Sequence, residues 1–470
     1  MSERVQRNIS RKFIGEVGSR AVSFAFNLAL AHGLGKEAYG RYSYAYAFAG
    51  VLAMCGELGL NTVLTREVAK DRAAAPKFLA AFAPLRFVAV LGVAVVTILA
   101  AQQSATPDRF WEITLMAGFM AANTLLDYNT AILNAFERMK EEAAMRVATR
   151  ITVSAFGIGA ILLHQPLVHV IGAVAAANLM TVGLASELRS RLKLAFPAEW
   201  DGAFVWRTLV AAIPVAAAWF GIVLYFYMDA LVLKALGMSD GDIGQYGAAS
   251  KILEAAQGIP LVVVGGIFPI VAELSQKDGP SAAAPYFSNV ARLCLVLGAP
   301  LAAIGAILSV PVARLLYGAD FTLTGPSLAI LALSAPLFFS NLIAIYLLLA
   351  MGRRWEAASF RGAACLLKLG LLVIAAPAVG IVGAAAAMFV TDLVLFVLLL
   401  AYRLLQKLSH DGELVLTLQV ALVTLLAGGA YWLVISRGIA LQLLVVTAVY
   451  GLSFGLLFRA HSPRSFLGLQ

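Results

Sequence analysis

The sequence predicts an all-α polytopic membrane protein, and three observations carry that prediction. Of its 470 residues, 61% are hydrophobic and 13% charged, roughly half the charged share of an average soluble chain. Apolar stretches of about 20 residues, enough to cross about 30 Å of hydrocarbon as a helix, recur along the whole length. Lys and Arg gather in alternate loops. With the N-terminus inside, about 23 fall in inner loops or tails and about 6 in outer ones, a strong positive-inside bias. That bias also accounts for the net charge of +9, which is therefore no nucleic-acid footprint.

The elements follow in order. The basic "MSERVQRNISRK" precedes an apolar segment, but Glu16 and Arg20 interrupt it, so it reads as a first span and not as a cleaved leader. Length and hydropathy then give about fourteen spans. The first six are Phe13–Gly33, Tyr42–Leu64, Phe78–Ala101, Trp111–Leu133, Ala143–Leu163 and Leu167–Ala185. After a longer polar segment come Thr208–Leu233, Gly244–Val271, Tyr286–Leu308, Leu328–Ala350, Ala357–Ala376 and Val379–Leu400. Leu414–Val434 and Leu441–Leu457 close the chain. Both termini are expected on the cytoplasmic face of the inner membrane, with no extramembrane domain.

The chain repeats itself. "LGKEAYGRYSYA" after span one matches "MSDGDIGQYGAA" after span seven, aligning Gly40 and Tyr42 with Gly244 and Tyr246. "AFERMKEEAAMR" matches "AMGRRWEAASFR", aligning Ala135, Arg138, Glu141, Ala143 and Arg146 with Ala350, Arg353, Glu356, Ala358 and Arg361. Each half holds an even number of spans, so the repeats run parallel, a transporter architecture with the path at their interface. The expected division is a six-helix lobe over 1–206, a second over 207–411, and two additional helices over 412–470.

Catalytic motifs are missing. "GLGKEAYG" lacks the Ser/Thr of a phosphate loop, no HExxH occurs, and Cys55, Cys294 and Cys365 show neither disulfide nor zinc spacing. No metal or cofactor is expected. What remains is a set of ionisable residues within spans: Glu16, Glu57, Asp127, Asp229, Glu254 and Asp392, with Arg20, Arg86, Arg150, Lys251, Arg292 and Lys368. A dozen such groups facing lipid would cost on the order of 30 kcal/mol, more than a fold can spare. Most must face one another or water.

Helical spacing agrees with that. Glu16, Arg20, Ser23 and Asn27 share a face of span one, and Tyr46, Gly50, Glu57 and Asn61 a face of span two. Asn123, Asp127, Thr130 and Asn134 share one of span four; Lys251, Glu254 and Gly258 share one of span eight. Such stripes point to a shared hydrated cavity. Local alternatives stand beside it. Glu16–Arg20 and Lys251–Glu254 are also spaced as simple ion pairs, and Arg292 is shallow enough to snorkel. The tyrosines of "YGRYSYAYAF" read as an interfacial belt. Arg86, Arg150, Lys368 and Asp392 lie deeper, without an obvious local partner.

Two stretches carry a resemblance. "LGKEAYGRYSYAYAFAGVLAMCGELGLNTVLTREVA" resembles the second-span region of polysaccharide-exporting flippases, the O-antigen (Wzx-like) branch of the multidrug/oligosaccharidyl-lipid/polysaccharide exporter superfamily. "AAIPVAAAWFGIVLYFYMDALVLKALGMSDGDIGQYGAASKILEAAQGIP" resembles that branch's seventh and eighth spans. The resemblance implies two six-helix lobes, alternating access, and export of a polyprenyl-pyrophosphate-linked glycan from inner to outer leaflet. Polysaccharide polymerase or assembly proteins would be partners beside the membrane lipid. Arg20, Arg86, Arg150, Lys251 and Lys368 would then face a pyrophosphate, because Arg supplies planar bidentate donors. Arg150 and Lys368 would line opposite sides of the cavity. The in-span acids would shape it or couple transport to a proton or sodium gradient. Asp229, near the outer end of span seven, would bond the "GDIGQY" loop at headgroup level or serve in coupling. Phe24 to Asn27 stand where the lipid II branch would carry a further arginine, which lowers lipid II as the substrate. A cation-coupled multidrug antiporter of the same superfamily and a membrane glycan-modifying enzyme are the alternatives. Balanced acids and bases favour an anionic headgroup over the first, and short loops disfavour the second.

Overall fold

The computed structural model describes residues 3–57, 59–102, 106–192, 201–256, 258–279, 282 and 284–406. The last two expected spans, and the side chains of Glu16, Cys55, Arg292 and Cys294, lie outside the described residues. Within them the chain is all helix, with no strand. Thirteen α-helices follow one another: α1 (Glu3–Glu57), α2 (Leu60–Lys70), α3 (Ala75–Ala101), α4 (Pro107–Ala135), α5 (Met139–Leu162), α6 (Leu167–Ser190) and α7 (Gly202–Ala235), then α8 (Asp240–Ala256), α9 (Gly258–Lys277), α10 (Ala284–Tyr317), α11 (Thr324–Ala350), α12 (Arg354–Val379) and α13 (Ile381–Leu405). Among the described residues seven segments are long and apolar enough to cross a membrane: Arg72–Ala101, Met139–Leu162, Leu167–Ser190, Ala216–Ala235, Thr324–Ala350, Arg354–Val379 and Ile381–Leu405. The chain is a multi-pass membrane protein.

Glycine chemistry sets two boundaries that hydropathy blurs. The first two expected spans both fall on α1, interrupted at Gly35, whose φ of 76° and ψ of 173° leave the helical region. The second expected span does not run to Leu64. It stops at Glu57, and Gly59 (φ 67°) starts the short α2 in a left-handed conformation that only glycine adopts freely. Other ends are set by local hydrogen bonds. The Asp71 carboxylate accepts from Ala73 N–H at 2.9 Å, and Asp201 caps α7 by accepting from Phe204 N–H at 2.9 Å.

The chain divides into two compact units, Met1–Gly244 and Gln245–Gln470. Within the first unit α7 packs against α1, α2 and α3. The first unit's core joins α2, α3, α4 and α7 through Leu64, Val68, Leu79, Phe82, Ile132 and Ala212. In the second unit α11 is the most enclosed span. Leu331, Phe338, Phe339, Ile343, Leu347 and Leu348 on it are all fully buried, as expected of a helix apolar on every side. It packs on α10 through small residues, Gly298 against Pro336, Gly305 against Ala332 and Gly325 against Val310, which lets the backbones approach closely.

The α4–α5 and α11–α12 turns, matched in the sequence repeat, share one local geometry. Glu137 and Gly352 take φ of 59° and 77°. Arg138 and Arg353 follow at (−84°, 51°) and (−79°, 59°). Their N–H groups donate to Leu133 and Leu348 carbonyls at 2.8 and 2.9 Å. The arginine side chains diverge: Arg138 pairs with Glu141 at 3.6 Å, whereas Arg353 reaches Tyr402 of α13 and Gln406 just beyond its end.

Candidate functional site

The first unit holds a buried polar network built on Arg86. On α3 the buried stripe runs Ala75, Phe78, Leu79, Phe82, Arg86, a spacing of three and four that turns Arg86 away from lipid with the core residues. Its side chain is 1% exposed. Nη1 donates to the Thr124 carbonyl and Nη2 to Asn61 Oδ1, both at 2.8 Å. The guanidinium lies 4.8 Å from the centre of the Tyr128 ring, a cation–π contact that strengthens where water is excluded. Asn61 in turn donates to Glu57 Oε1 at 3.1 Å. The carboxylates of Glu57 and Asp127 both act on Arg86 through space. Arg189 of α6 stands 5.9 Å from the centre of the same ring.

Polar groups of α4 reach three neighbouring helices. Thr124 and Tyr128 serve Arg86 of α3. Asn123 accepts from Asn178 of α6 at 3.0 Å, and Asn178 also donates to the Phe119 carbonyl. Asp127 pairs with Arg146 of α5 at 3.8 Å, its side chain still 48% exposed. Arg146 is bonded as well to the fully buried Glu142. The sequence singled out Asp127 and Arg86 but missed Tyr128, Glu142, Arg146 and Arg189 as members of this network. Glu142–Arg146 carried an i,i+4 signal; for an aromatic ring in reach of two arginines from other helices no sequence spacing gives notice.

The other expected residues are placed as follows. Arg20 is half-buried on α1, and the side chain of Glu16 lies outside the described residues. Asn27, two turns further along the same face, donates to the Ser23 carbonyl and accepts from Tyr39 Oη. Arg150 is exposed one turn beyond Arg146 on α5. Asp229 is 4% exposed, so it avoids lipid by burial in the protein. The loop acid held by bases is Asp240, paired with Lys234 and Arg109. Lys251 and Glu254 are ion-paired at 2.6 Å. Lys368 on α12 and Asp392 on α13 are fully buried, and the Asp392 carbonyl accepts from Asn341 of α11 at 2.8 Å.

The tyrosines correct the expectation of an interfacial belt. Tyr39 and Tyr42 are 0% and 6% exposed. They form a ladder with Tyr46, ring centres 6.4 and 6.0 Å apart, ending edge-on at Tyr227 of α7, 5.7 Å from Tyr46. Spacing of three and four residues puts them on one stripe of α1, and that stripe packs inward. Gly50 makes room for the Tyr227 ring, whose Cε2 would stand 2.8 Å from any Cβ there.

Residues 5–275 match the family of polysaccharide biosynthesis proteins. The chain belongs to that family. No curated protein matches it. Among solved structures, the lipid II flippase MurJ in an inward closed conformation is similar over 95% of this chain and 98% of that one, with a TM-score of 0.75 at 14% identity. An outward-facing multidrug resistance MATE family transporter of the MOP superfamily is similar over 85% and 95%, with a TM-score of 0.64 at 13% identity. The MATE multidrug transporter DinF-BH is similar over 88% and 96%, with a TM-score of 0.63 at 13% identity. This member of the polysaccharide biosynthesis family therefore has the fold shared by these flippase and multidrug transporter structures.

Proposed function

We propose that this protein is a flippase, and not an enzyme, that carries a polyprenyl-pyrophosphate-linked oligosaccharide from the inner to the outer leaflet of the cytoplasmic membrane by alternating access. Both termini lie on the cytoplasmic side in this reading. The observation that carries it is the arginine network inside a membrane-spanning bundle: Arg86, Arg146 and Arg189 around Tyr128 and Asp127, with Arg150 exposed beside them. Bases within spans are retained only where something needs them, and a pyrophosphate of about two negative charges is such a need. The polyprenyl tail can stay in lipid while the headgroup passes.

The residues divide by exposure. Arg86 spends both Nη groups on Thr124 and Asn61, so it organises the network and supplies field. Arg150 and the half-buried Arg20 are the first unit's accessible bases for a headgroup; of the second unit's bases Lys251 is half-buried beside Glu254, and the fully buried Lys368 would serve only once uncovered during transport. Glu57, Asp127, Asp229, Glu254 and Asp392, together with Glu16, are the candidates for coupling to a proton or sodium gradient. A polysaccharide polymerase or assembly protein would receive the product.

The fold shared with multidrug transporters favours one second reading, a cation-coupled drug antiporter. Expression in cells lacking their own exporter separates the two. Restored surface glycan with unchanged drug susceptibility supports the flippase; drug resistance without surface glycan supports the antiporter.

A further inference from the structure

The two glycines matched in the sequence repeat, Gly40 and Gly244, meet each other in the first unit. A Cβ added to Gly40 would strike the Asp240 carbonyl and lie 2.9 Å from Gly244 N; one added to Gly244 would strike the Lys36 carbonyl and lie 2.9 Å from Gly40 N. The contact is reciprocal, since Lys36 precedes Gly40 as Asp240 precedes Gly244. At the two glycines backbone lies on backbone. Such a contact gains dispersion from close approach, and at that point no side chain must be withdrawn for it to separate.

Ion pairs flank it. The Asp240 carboxylate, on the first turn of α8, takes Lys234 Nζ at 2.5 Å from the last turn of α7 and is also bonded to Arg109 of α4. Arg41 of α1 pairs with Glu112 of α4 at 3.1 Å, where Glu112 is almost fully buried. The Glu37 carboxylate lies against Gly241, its Oε2 3.4 Å from a Cβ position there. Four helix segments are thus fastened around one glycine contact. Asp240 at a helix N-terminus and Lys234 at a helix C-terminus each complement their own helix dipole. Each keeps part of its stabilisation when the pair parts, which makes the fastening reversible.

We propose that Asp240, with Arg109 and Lys234, is a latch that holds the Gly40–Gly244 crossing closed on the outer side, and that the release path opens when these two glycines separate. Asp240 acts as a positioning residue, not as a ligand of the cargo. The proposal rests on the reading of the protein as an alternating-access transporter with its termini inside.

The test uses the full chain with Cys55, Cys294 and Cys365 replaced and a reporter cysteine at Ala47. Ala47 is 3% exposed and sits two turns from Gly40 on the same helix face. In intact cells, a membrane-impermeant maleimide should label the reporter slowly in the parent. Labelling should be several-fold faster in Asp240→Asn and in Gly40→Ala, with Asp240→Glu close to the parent. In a second arm, paired cysteines at Glu37 and Gly241 are oxidised to a disulfide, which should stop glycan export until reductant is added. Unchanged labelling in both Asp240→Asn and Gly40→Ala overturns the latch, as does full export with the disulfide complete. Faster labelling only in inverted vesicles overturns its assignment to the outer side. The labelling arm needs no substrate, so a failure of the proposed cargo leaves the latch standing, and the reverse holds as well.

Discussion

Arg86→Ala separates a structural role from a ligand role for the most enclosed base of the network. The substitution removes two hydrogen bonds of 2.8 Å and a ring contact at 4.8 Å. It leaves Asn61 Oδ1 without its donor and Glu57 without the nearby positive charge. Hydrogen bonds to charged groups contribute about 1.5–3 kcal/mol each in water-soluble proteins, but only about 0.6 kcal/mol on average between membrane helices. Breaking one member out of a buried charged cluster costs about 3–5 kcal/mol. A loss of about 3 kcal/mol is therefore expected, which for a unit of this size lowers the melting temperature by about 6–12 °C. Adding Glu57→Gln should recover part of the loss, because the remaining acid is then no longer an uncompensated charge. Arg86→Lys should fall between, since an ammonium cannot present the planar fork to Thr124 and Asn61 together. The assay is thermal unfolding of purified protein in detergent, alongside export per inserted molecule in cells. A melting temperature of Arg86→Ala within about one degree of the parent, with export abolished, would refute the structural account and return Arg86 to direct cargo binding.

The remaining predictions concern the cargo, two turns and the topology. Arg150→Gln and Lys368→Gln should each lower surface glycan sharply per inserted molecule, with Arg150→Lys retaining more than Arg150→Gln; wild-type export by both Gln variants would return these bases to structural pairing. Gly59→Ala should lower thermal stability by at least about 1 kcal/mol, because φ is 67° and the added methyl would stand 3.0 Å from Ala216 N. Asp201 is exposed at the start of α7, where the Phe204 N–H and then Lys77 hold its carboxyl below the usual carboxylate range. Its contribution is complete above the unfolded-state value and is lost as pH falls through the lower folded value. The melting-temperature gap between wild type and Asp201→Ala should therefore be full near neutrality and narrow on acidification below the usual carboxylate range. Engineered cysteines at Ser190 and Ser409 should resist impermeant reagents in intact cells while one at Ser239 reacts; labelling at Ser190 would reverse the assigned orientation.

Hydropathy carried the all-α membrane fold class because it is a property of whole helices. The Lys251–Glu254 pair and the matched α4–α5 and α11–α12 turns were legible for the same reason, being local in sequence. What escaped was decided by partners far along the chain. Tyr128 reads as one more aromatic until α3 brings Arg86 and α6 brings Arg189 to its ring. Tyr39 and Tyr42 look like headgroup anchors until their stripe of α1 turns inward. Gly59 is an ordinary small residue in an apolar run until its positive φ ends a helix that hydropathy would extend.

The central claim is that the protein moves a pyrophosphate-linked glycan across a bilayer. The most direct measurement is made on purified protein in liposomes carrying a polyprenyl-pyrophosphate-linked oligosaccharide in the inner leaflet. Its arrival in the outer leaflet is followed by an impermeant glycan-modifying reagent. The account predicts time-dependent exposure of the glycan well beyond that in protein-free liposomes, reduced in Arg150→Gln. Exposure equal to that in protein-free liposomes, with transport of a cationic drug in the same vesicles, would contradict it.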